Sequence, residues 1–275
     1  MCLIALAWQA HPDYPLIVAA NRDEFHARAT APARFWPEAP AVLAGRDLAA
    51  GGTWLGVTRG GRFAALTNFR EPGRPQGSRS RGLLVSEYLQ TTQSPAAYAA
   101  AVMADTDHYS GFNLLLGDAD SLIVLSNRGT PPRALPPGVY GLSNHLLDSA
   151  WPKVERAREA LRAQLAAPAV GPLLDLLADD AAAPDEDLPD TGVGLALERL
   201  LAPPFIRSPA YGTRSSAVLL MGRQRIRFVE QAFGPEGPGE RSDFEFDYER
   251  PAREAPIPAA VSAASAGREP GAGDA

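Results

Sequence analysis

The chain has 275 residues, 45% of them apolar, and a formal net charge of −6; this allows a sizeable core and is the wrong sign for general affinity to nucleic acid or anionic membrane. Its single cysteine, Cys2, excludes an intramolecular disulfide and a cysteine-rich zinc site. No apolar run approaches the ~20 residues of a transmembrane helix, and the start lacks the basic region and unbroken apolar run of a secretory signal. The expectation is a soluble, cytoplasmic protein with no metal site.

Residues 2–8 and 15–20 are short apolar runs. The turn-like His11-Pro12-Asp13-Tyr14-Pro15 separates them, which predicts a hairpin. The second run ends in Asn21-Arg22-Asp23-Glu24, and pairing the two strands brings this polar cluster beside Cys2. Residues 27–40 are rich in Pro and Ala without a period and read as a loop, anchored by Phe35 and Trp36. Val42 to Ala44 reads as a strand. Residues 51–57 and 62–68 form a hairpin around Thr58-Arg59-Gly60-Gly61. Residues 70–82 carry Arg70, Arg74, Arg79 and Arg81 among Pro, Gly and Ser, the composition of a mobile basic loop able to recruit an anionic ligand.

Helices are predicted around residues 83–89 and from Ser94-Pro95, a favourable cap and first position, to about Ala104. Residues 111–118 and 121–127 form another hairpin, and 138–144 a strand ending in Asn144-His145. Residues 152–167 are helical, with Val154, Ala157, Leu161 and Leu165 at helical spacing. A shorter helix runs from Leu173 to Ala178, an acidic loop over 181–189, and helical turns over 193–201. Residues 211–221, 225–231 and 244–249 read as strands. The Ala-, Pro- and Gly-rich stretch 251–275 predicts a disordered tail. The ten or eleven strands, mostly in sequential hairpins, with helices in two blocks, describe one α+β domain over residues 1–250.

Cys2 invites a specific chemistry. Removal of Met1 would leave a thiol and a free amine on the same carbon. A thiol attacks well only as thiolate, with a free pKa of ~8.5, whereas an α-amine has a pKa of ~8 and serves as its base. An acyl-transfer site also needs donors for an oxyanion, which Asn21-Arg22-Asp23-Glu24 could supply. The alternatives at this level are a small buried thiol that begins a strand and a structural ion pair at a turn.

Several ordered motifs together resemble the NRDE family: Met1-Cys2, Ala20-Asn21-Arg22-Asp23-Glu24-Phe25, Gly51-Gly52-Thr53-Trp54-Leu55-Gly56, Ala64 to Phe69, Gly111 to Leu114, Tyr140 to Asn144, and Tyr211 to Ser216. That family is similar to N-terminal-nucleophile hydrolases of the choloylglycine hydrolase type. The resemblance implies an αββα sandwich of two mostly antiparallel sheets with outer helices, and a cysteine that attacks an amide. It implies further site residues: an Arg and an Asp after the second strand, two asparagines matching Asn68 and Asn144, and a late arginine matching Arg214. The hydrolases carry Arg-Asn-x-Asp after the second strand, so an ungapped match sets Asn21 at the arginine and Glu24 at the aspartate.

The ligand implied is a small acylated amide, with Trp54, Arg70 and His145 as candidate contacts and no required cofactor. Eukaryotic members are associated with haem trafficking and with lipid or acyl-CoA homeostasis, which implies the alternative of a non-enzymatic carrier of haem or acyl-CoA. Its possible haem ligands are Cys2, His11, His26, His108 and His145, and His145 is the first to consider because it follows Asn144.

Overall fold

The structure, a computed structural model, describes residues 2–129 and 131–249; the expected tail over 251–275 lies outside them. Thirteen strands form two antiparallel sheets among the described residues. The first sheet contains β1 (Cys2–Trp8), β2 (Leu16–Phe25), β10 (Gly138–Leu142), β11 (Tyr211–Met221), β12 (Arg225–Gly234) and β13 (Gly237–Asp247), in the order β10-β1-β2-β11-β12-β13. The second runs in chain order through β3 (Thr30–Trp36), β4 (Ala39–Asp47), β5 (Leu55–Thr58), β6 (Phe63–Asn68), β7 (Phe112–Gly117), β8 (Leu122–Ser126) and β9 (Arg133–Ala134). The helices are α1 (Gly82–Gln90), α2 (Pro95–Met103), α3 (Pro152–Gln164), α4 (Val170–Leu177) and α5 (Leu195–Leu201).

Three apolar layers hold the sandwich. Ile4, Leu6, Val18 and Leu219 of the first sheet meet Leu43, Val57, Phe63 and Leu115 of the second between the sheets. Leu84, Tyr88 and Tyr98 of α1 and α2 cover the outside of the second sheet over Ala44, Ala64 and Leu116. Val154, Leu161 and Leu173 of α3 and α4 cover the outside of the first over Leu3, Ala5 and Ile17. The layers are therefore αββα, and the fold is the expected one. Strand β1 is buried at all seven positions because both its faces are covered, which is why it reads as an unbroken apolar run. Helix α3 lies close on β10: a Cβ at Gly141 would sit 2.6 Å from Val154 Cγ1, so a larger residue there would push the helix away.

Two expectations are corrected. Residues 27–40 are not a loop, since Thr30–Trp36 is a strand paired with β4. Its Pro32 is tolerated because β3 lies at the sheet edge and its register shifts between Ala31 and Arg34. The two anchors do anchor it. Trp36 is buried and donates its indole N–H to Ala44 O at 3.1 Å, and Phe35 packs edge-on against Phe244 and Phe246.

The basic loop over 70–82 is also not a free one. Arg70 pairs with Glu198 at 2.5 Å, Arg79 bridges Glu87 and Asp105, and Arg81 donates to Gly111 O at 2.9 Å. Glu71 ties the segment to Arg128 at 2.6 Å and to the Gly111 N–H at 2.7 Å. A cation that already has an intramolecular partner has little to offer a ligand in solution.

Candidate functional site

One end of the sandwich gathers the start of β1 and the ends of β2, β6 and β10. In the β1–β2 register Cys2 lies opposite Arg22, and Leu3 opposite Asn21. Because side chains alternate across a strand, Arg22 and Glu24 follow Val18 and Ala20 toward the space between the sheets. Asn21 and Asp23 follow Ile17 and Ala19 toward the helices. The tetrapeptide is thus divided between two environments.

On the inner side, Arg22 faces a cavity of about 230 Å³ whose walls include Thr53, Trp54, Asp47, Arg214 and Glu230. Its guanidinium holds Glu24 and Asp47 only at 3.8 and 4.0 Å. Asp47 is closer to Arg28, at 2.8 Å. Trp54 owes its place to Gly52, whose φ of +73° and 2.5 Å approach to the Gly82 backbone admit no side chain. Glu230 is buried and accepts from the Ala33 N–H at 2.8 Å, linking β12 to β3. Burial pushes its carboxyl up.

Arg214 occupies the irregularity between Thr213 and Ser215 in the β2–β11 pairing. One of its terminal nitrogens donates to the carbonyls of Phe25, His26 and Arg28 at 2.9, 2.9 and 3.2 Å. This late arginine therefore fastens the segment after β2 while forming part of the cavity wall.

On the outer side, Asn21 donates to Leu177 O at 2.8 Å and Pro204 O at 2.9 Å, and accepts from Ser216 Oγ at 2.6 Å. It bonds α4 and the segment before β11 to the sheet, away from the cavity. The residue opposite Cys2 is Arg22, and Asn21 points away from it. Asp23, 1% exposed, accepts from Thr213 Oγ1 at 2.7 Å, and its main-chain N–H reaches the Cys2 thiol. Glu24 is half-buried beside Arg28, on the cavity side.

Cys2 is 6% exposed. Burial pushes its thiol up, the Asp23 charge adds to this, and Arg22 with the Asp23 N–H draws it back. The Cys2 main-chain carbonyl joins a polar network. Ser143 Oγ donates to Cys2 O at 2.9 Å, and Thr67 Oγ1 to Ser143 O at 2.5 Å. Asn113 Nδ2 donates to Thr67 Oγ1 at 2.9 Å and to His145 O at 2.8 Å. Asn68 and Asn144 are brought together, with Asn144 Nδ2 donating to Asn68 O at 2.9 Å. Asn144 is fully buried and Asn68 half-buried.

Arg70, expected at the ligand, has a side chain only 5% exposed, paired to Glu198 and stacked 4.7 Å from the Trp151 ring. His145 is exposed, packed against Phe69 and Trp151, with Nδ1 2.9 Å from Ser149 Oγ. None of the four histidines forms a wall of the inter-sheet cavity. Among the described residues no group of His, Cys, Asp or Glu is placed to hold a metal ion, and no helix is long and apolar enough to cross a membrane. A larger cavity of about 510 Å³ lies at the opposite end of β1, between Trp8, His11, Asp118 and Arg223; of the residues named from the sequence it includes only His11, one of the possible haem ligands.

Two further residues near the site were not singled out as site residues in the sequence. Arg81, half-buried at the start of α1, is close enough to Cys2 and Glu24 for their charges to raise its pKa against the lowering by burial. Lys153 is buried, its Nζ donating to Leu201 O at 2.9 Å. Its signal was available, since it stands four residues before Ala157 and eight before Leu161, on the buried stripe of α3.

The model of the family described as Transport and Golgi organisation 2 matches residues 1–235. The chain is 36% identical over 264 residues to the Transport and Golgi organization protein 2 homolog of Bos taurus, covering 84% of this chain and 93% of that protein. Its identity to the Transport and Golgi organization protein 2 of Drosophila melanogaster is 29% over 284 residues, covering 90% and 99%. Among solved structures it is similar to the Caenorhabditis elegans ortholog of N-acylethanolamine-hydrolyzing acid amidase. There the TM-score is 0.52 at 12% identity, covering 80% of this chain and 92% of that one. That likeness is one of fold.

Proposed function

This chain belongs to the Transport and Golgi organisation 2 family, and from that premise we propose that it is a cysteine amidohydrolase of the N-terminal-nucleophile kind, acting on a small acylated molecule once Met1 is removed. The observation that carries the reading is the setting of Cys2. The lone thiol begins β1 opposite Arg22 and takes the Asp23 N–H, and Ser143 Oγ donates to the main-chain carbonyl of the same residue. A thiol kept only for packing would sit among apolar side chains. The amidase likeness supplies the fold on which such chemistry is known.

The buried thiol holds its proton tightly, so a base must take it. While Met1 is attached, the Cys2 nitrogen is an amide and cannot serve. Once Met1 is gone, the freed amine accepts the thiol proton and the sulfur attacks the substrate carbonyl. Arg22, opposite Cys2, is placed to donate to the oxyanion so formed. Collapse expels the amine, which leaves with the proton carried by the Cys2 ammonium. Water, deprotonated by the same amine, then cleaves the thioester to acid and free thiol. Cys2 is not a wall of the inter-sheet cavity, but Arg22, the residue opposite it, is; a cavity below the ~300 Å³ at which pockets for drug-sized ligands begin and lined by paired charges favours a short polar acyl compound.

Haem fits this lining poorly: none of its walls is a histidine. Acyl-CoA carriage drew on the basic loop, whose Arg70, Arg79 and Arg81 have partners within the chain. The hydrolase reading predicts that intact mass shows loss of Met1 and that an electrophilic acyl probe labels Cys2. Cys2→Ala should abolish the labelling and leave the melting transition in place. Retention of Met1, or equal labelling of Cys2→Ala, would overturn it.

A further inference from the structure

Glu230 stands where the pattern of its strand calls for an apolar residue. In β12, Ile226 and Phe228 point into the core between the sheets, and Val229 points toward the helices. Glu230 follows Ile226 and Phe228, so a carboxylate enters the inter-sheet space as a wall of the cavity that Arg22 faces. It is 6% exposed. A charge buried in this way is costly unless an opposite charge pairs with it.

The three arginines of the cavity are engaged elsewhere. Arg22 holds Glu24 and Asp47, at 3.8 and 4.0 Å. Arg214 donates to the carbonyls of Phe25, His26, Arg28 and Phe233. Arg46 pairs with Glu38 and stacks 4.5 Å from the Trp36 ring, on the helix-covered face of its sheet. The hydrogen-bond partners of Glu230 are neutral: the Ala33 N–H at 2.8 Å and the Ser215 hydroxyl. Asp47, another carboxylate of the wall, has Arg28 at 2.8 Å. A glycine keeps the space over Glu230 open. A Cβ at Gly45, itself a wall, would lie 3.5 and 3.6 Å from the two carboxylate oxygens.

We propose that Glu230 is a specificity-determining residue: it receives an ammonium group of the ligand, and the substrate is a small amide whose acyl chain carries that amine. The substrate class rests on the hydrolase reading above. The acyl part is the one the cavity holds, because it stays on Cys2 while the amine product departs and water enters. The register sets Cys2, Arg22, Ser215 and Ala232 in one row across β1, β2, β11 and β12, and Glu230 stands two residues from Ala232 on the same face. Three strand spacings of ~4.8 Å separate the strand of the thiol from that of Glu230. The ammonium therefore belongs at the end of a short flexible chain and not beside the scissile carbonyl. It supplies the charge-assisted hydrogen bond that Glu230 lacks, and Trp54 gives the same cavity an aromatic wall, which cations favour.

The test compares two probes of matched shape on the full-length chain at neutral pH, the nitrophenyl esters of 6-aminohexanoic acid and of heptanoic acid. They differ by an ammonium in place of a methyl group, and the amine is charged at this pH. Acylation of Cys2 is followed by nitrophenol release and by intact mass, which also confirms loss of Met1. Wild type should react faster with the cationic ester by about tenfold or more, the size of one hydrogen bond to a charged group. In Glu230→Gln, which keeps an acceptor for the Ala33 N–H, the ratio of the two rates should fall to about one.

Gly45→Ala supplies a second arm that leaves the net charge unaltered. Its methyl group would stand over the carboxylate, so the ratio should again fall toward one, and this arm decides alone if Glu230→Gln does not fold. Equal rates with the two esters in wild type, or a preference that Glu230→Gln keeps, overturn the ammonium site and leave the hydrolase reading standing; a kept preference then belongs to the general negative charge of the chain. A wild type in which neither ester acylates Cys2 overturns both.

Discussion

The two sides of the last four residues of β2 before Phe25 differ in how their polar groups are held. On the helix side, Asn21 and Asp23 are 0% and 1% exposed and bonded at 2.6 to 2.9 Å. On the cavity side, Arg22 keeps its carboxylate partners at 3.8 and 4.0 Å. Groups held at such distances fix geometry and have little left to give a ligand. Loosely paired groups can exchange partners when a ligand arrives. One strand end therefore carries a rigid electrostatic support on one face and an adaptable surface on the other.

The largest effect on stability should come from the rigid side. Asn21→Ala removes an amide whose three partners, Leu177 O, Pro204 O and Ser216 Oγ, are all in the buried region between β2, α4 and β11. Each buried group left unpaired costs about 1–3 kcal/mol, so a loss of about 4 kcal/mol is expected, read as a shift of the urea midpoint at constant slope. A loss under about 1 kcal/mol would mean that water replaces the amide and that this face is not closed.

A somewhat smaller effect, and one that depends on pH, belongs to Lys153. Its pKa is lowered by burial from 10.5 to about 8, so between those values the unfolded chain binds more protons than the folded one. Stability must then rise as pH rises through this window, by about 3 kcal/mol at most at 1.36 kcal/mol per unit. Cys2, raised above 9 by burial, works in the opposite direction. Lys153→Arg isolates the lysine contribution, because an arginine stays charged throughout while Cys2 is common to both proteins. Urea midpoints from pH 7.5 to 10 should converge on or cross in favour of wild type as pH rises. Parallel curves would show that Lys153 is not desolvated.

This division of faces explains what the sequence could and could not reveal. The apolar runs of β1, β2, β7 and β11 are legible because both faces of each are covered, by the opposing sheet and by helices. The same double burial hides the alternation. With Ile17 and Ala19 as apolar as Val18 and Ala20, nothing in the sequence says which parity faces the other sheet. Asn21-Arg22-Asp23-Glu24 therefore read as one cluster, although the register sets only Arg22 opposite Cys2. Strand β3 was hidden for another reason: an edge strand tolerates Pro32 and irregular register, so its composition is that of a loop. The fixed partners of Arg70 and Arg81 lie in α5 and at Gly111, far along the chain, and no local pattern announces them. Lys153 was legible on its helical stripe; a charged residue there contradicts the apolar periodicity, and that contradiction was the signal.

The smallest effect on stability should come from the adaptable side, and there it sharpens the contrast. Arg22→Met keeps much of the stem that lines the cavity and removes a guanidinium whose ion pairs are long. Pairs of this kind contribute about 0–1 kcal/mol, so the urea midpoint should move little. Labelling of Cys2 by the acyl probe should nevertheless fall by about a hundredfold. Two losses combine in that figure: Arg22 draws the buried thiol toward ionisation from across the strand pair, and a donor near a developing oxyanion contributes roughly 10²–10³-fold. Iodoacetamide separates them, because its reaction develops no oxyanion and so reports the thiol alone. A hundredfold loss with the acyl probe against a loss of about tenfold or less with iodoacetamide assigns Arg22 to the reacting carbonyl. Equal losses with both reagents would confine Arg22 to tuning the thiol, and a stability loss as large as that of Asn21→Ala would erase the distinction between the two faces.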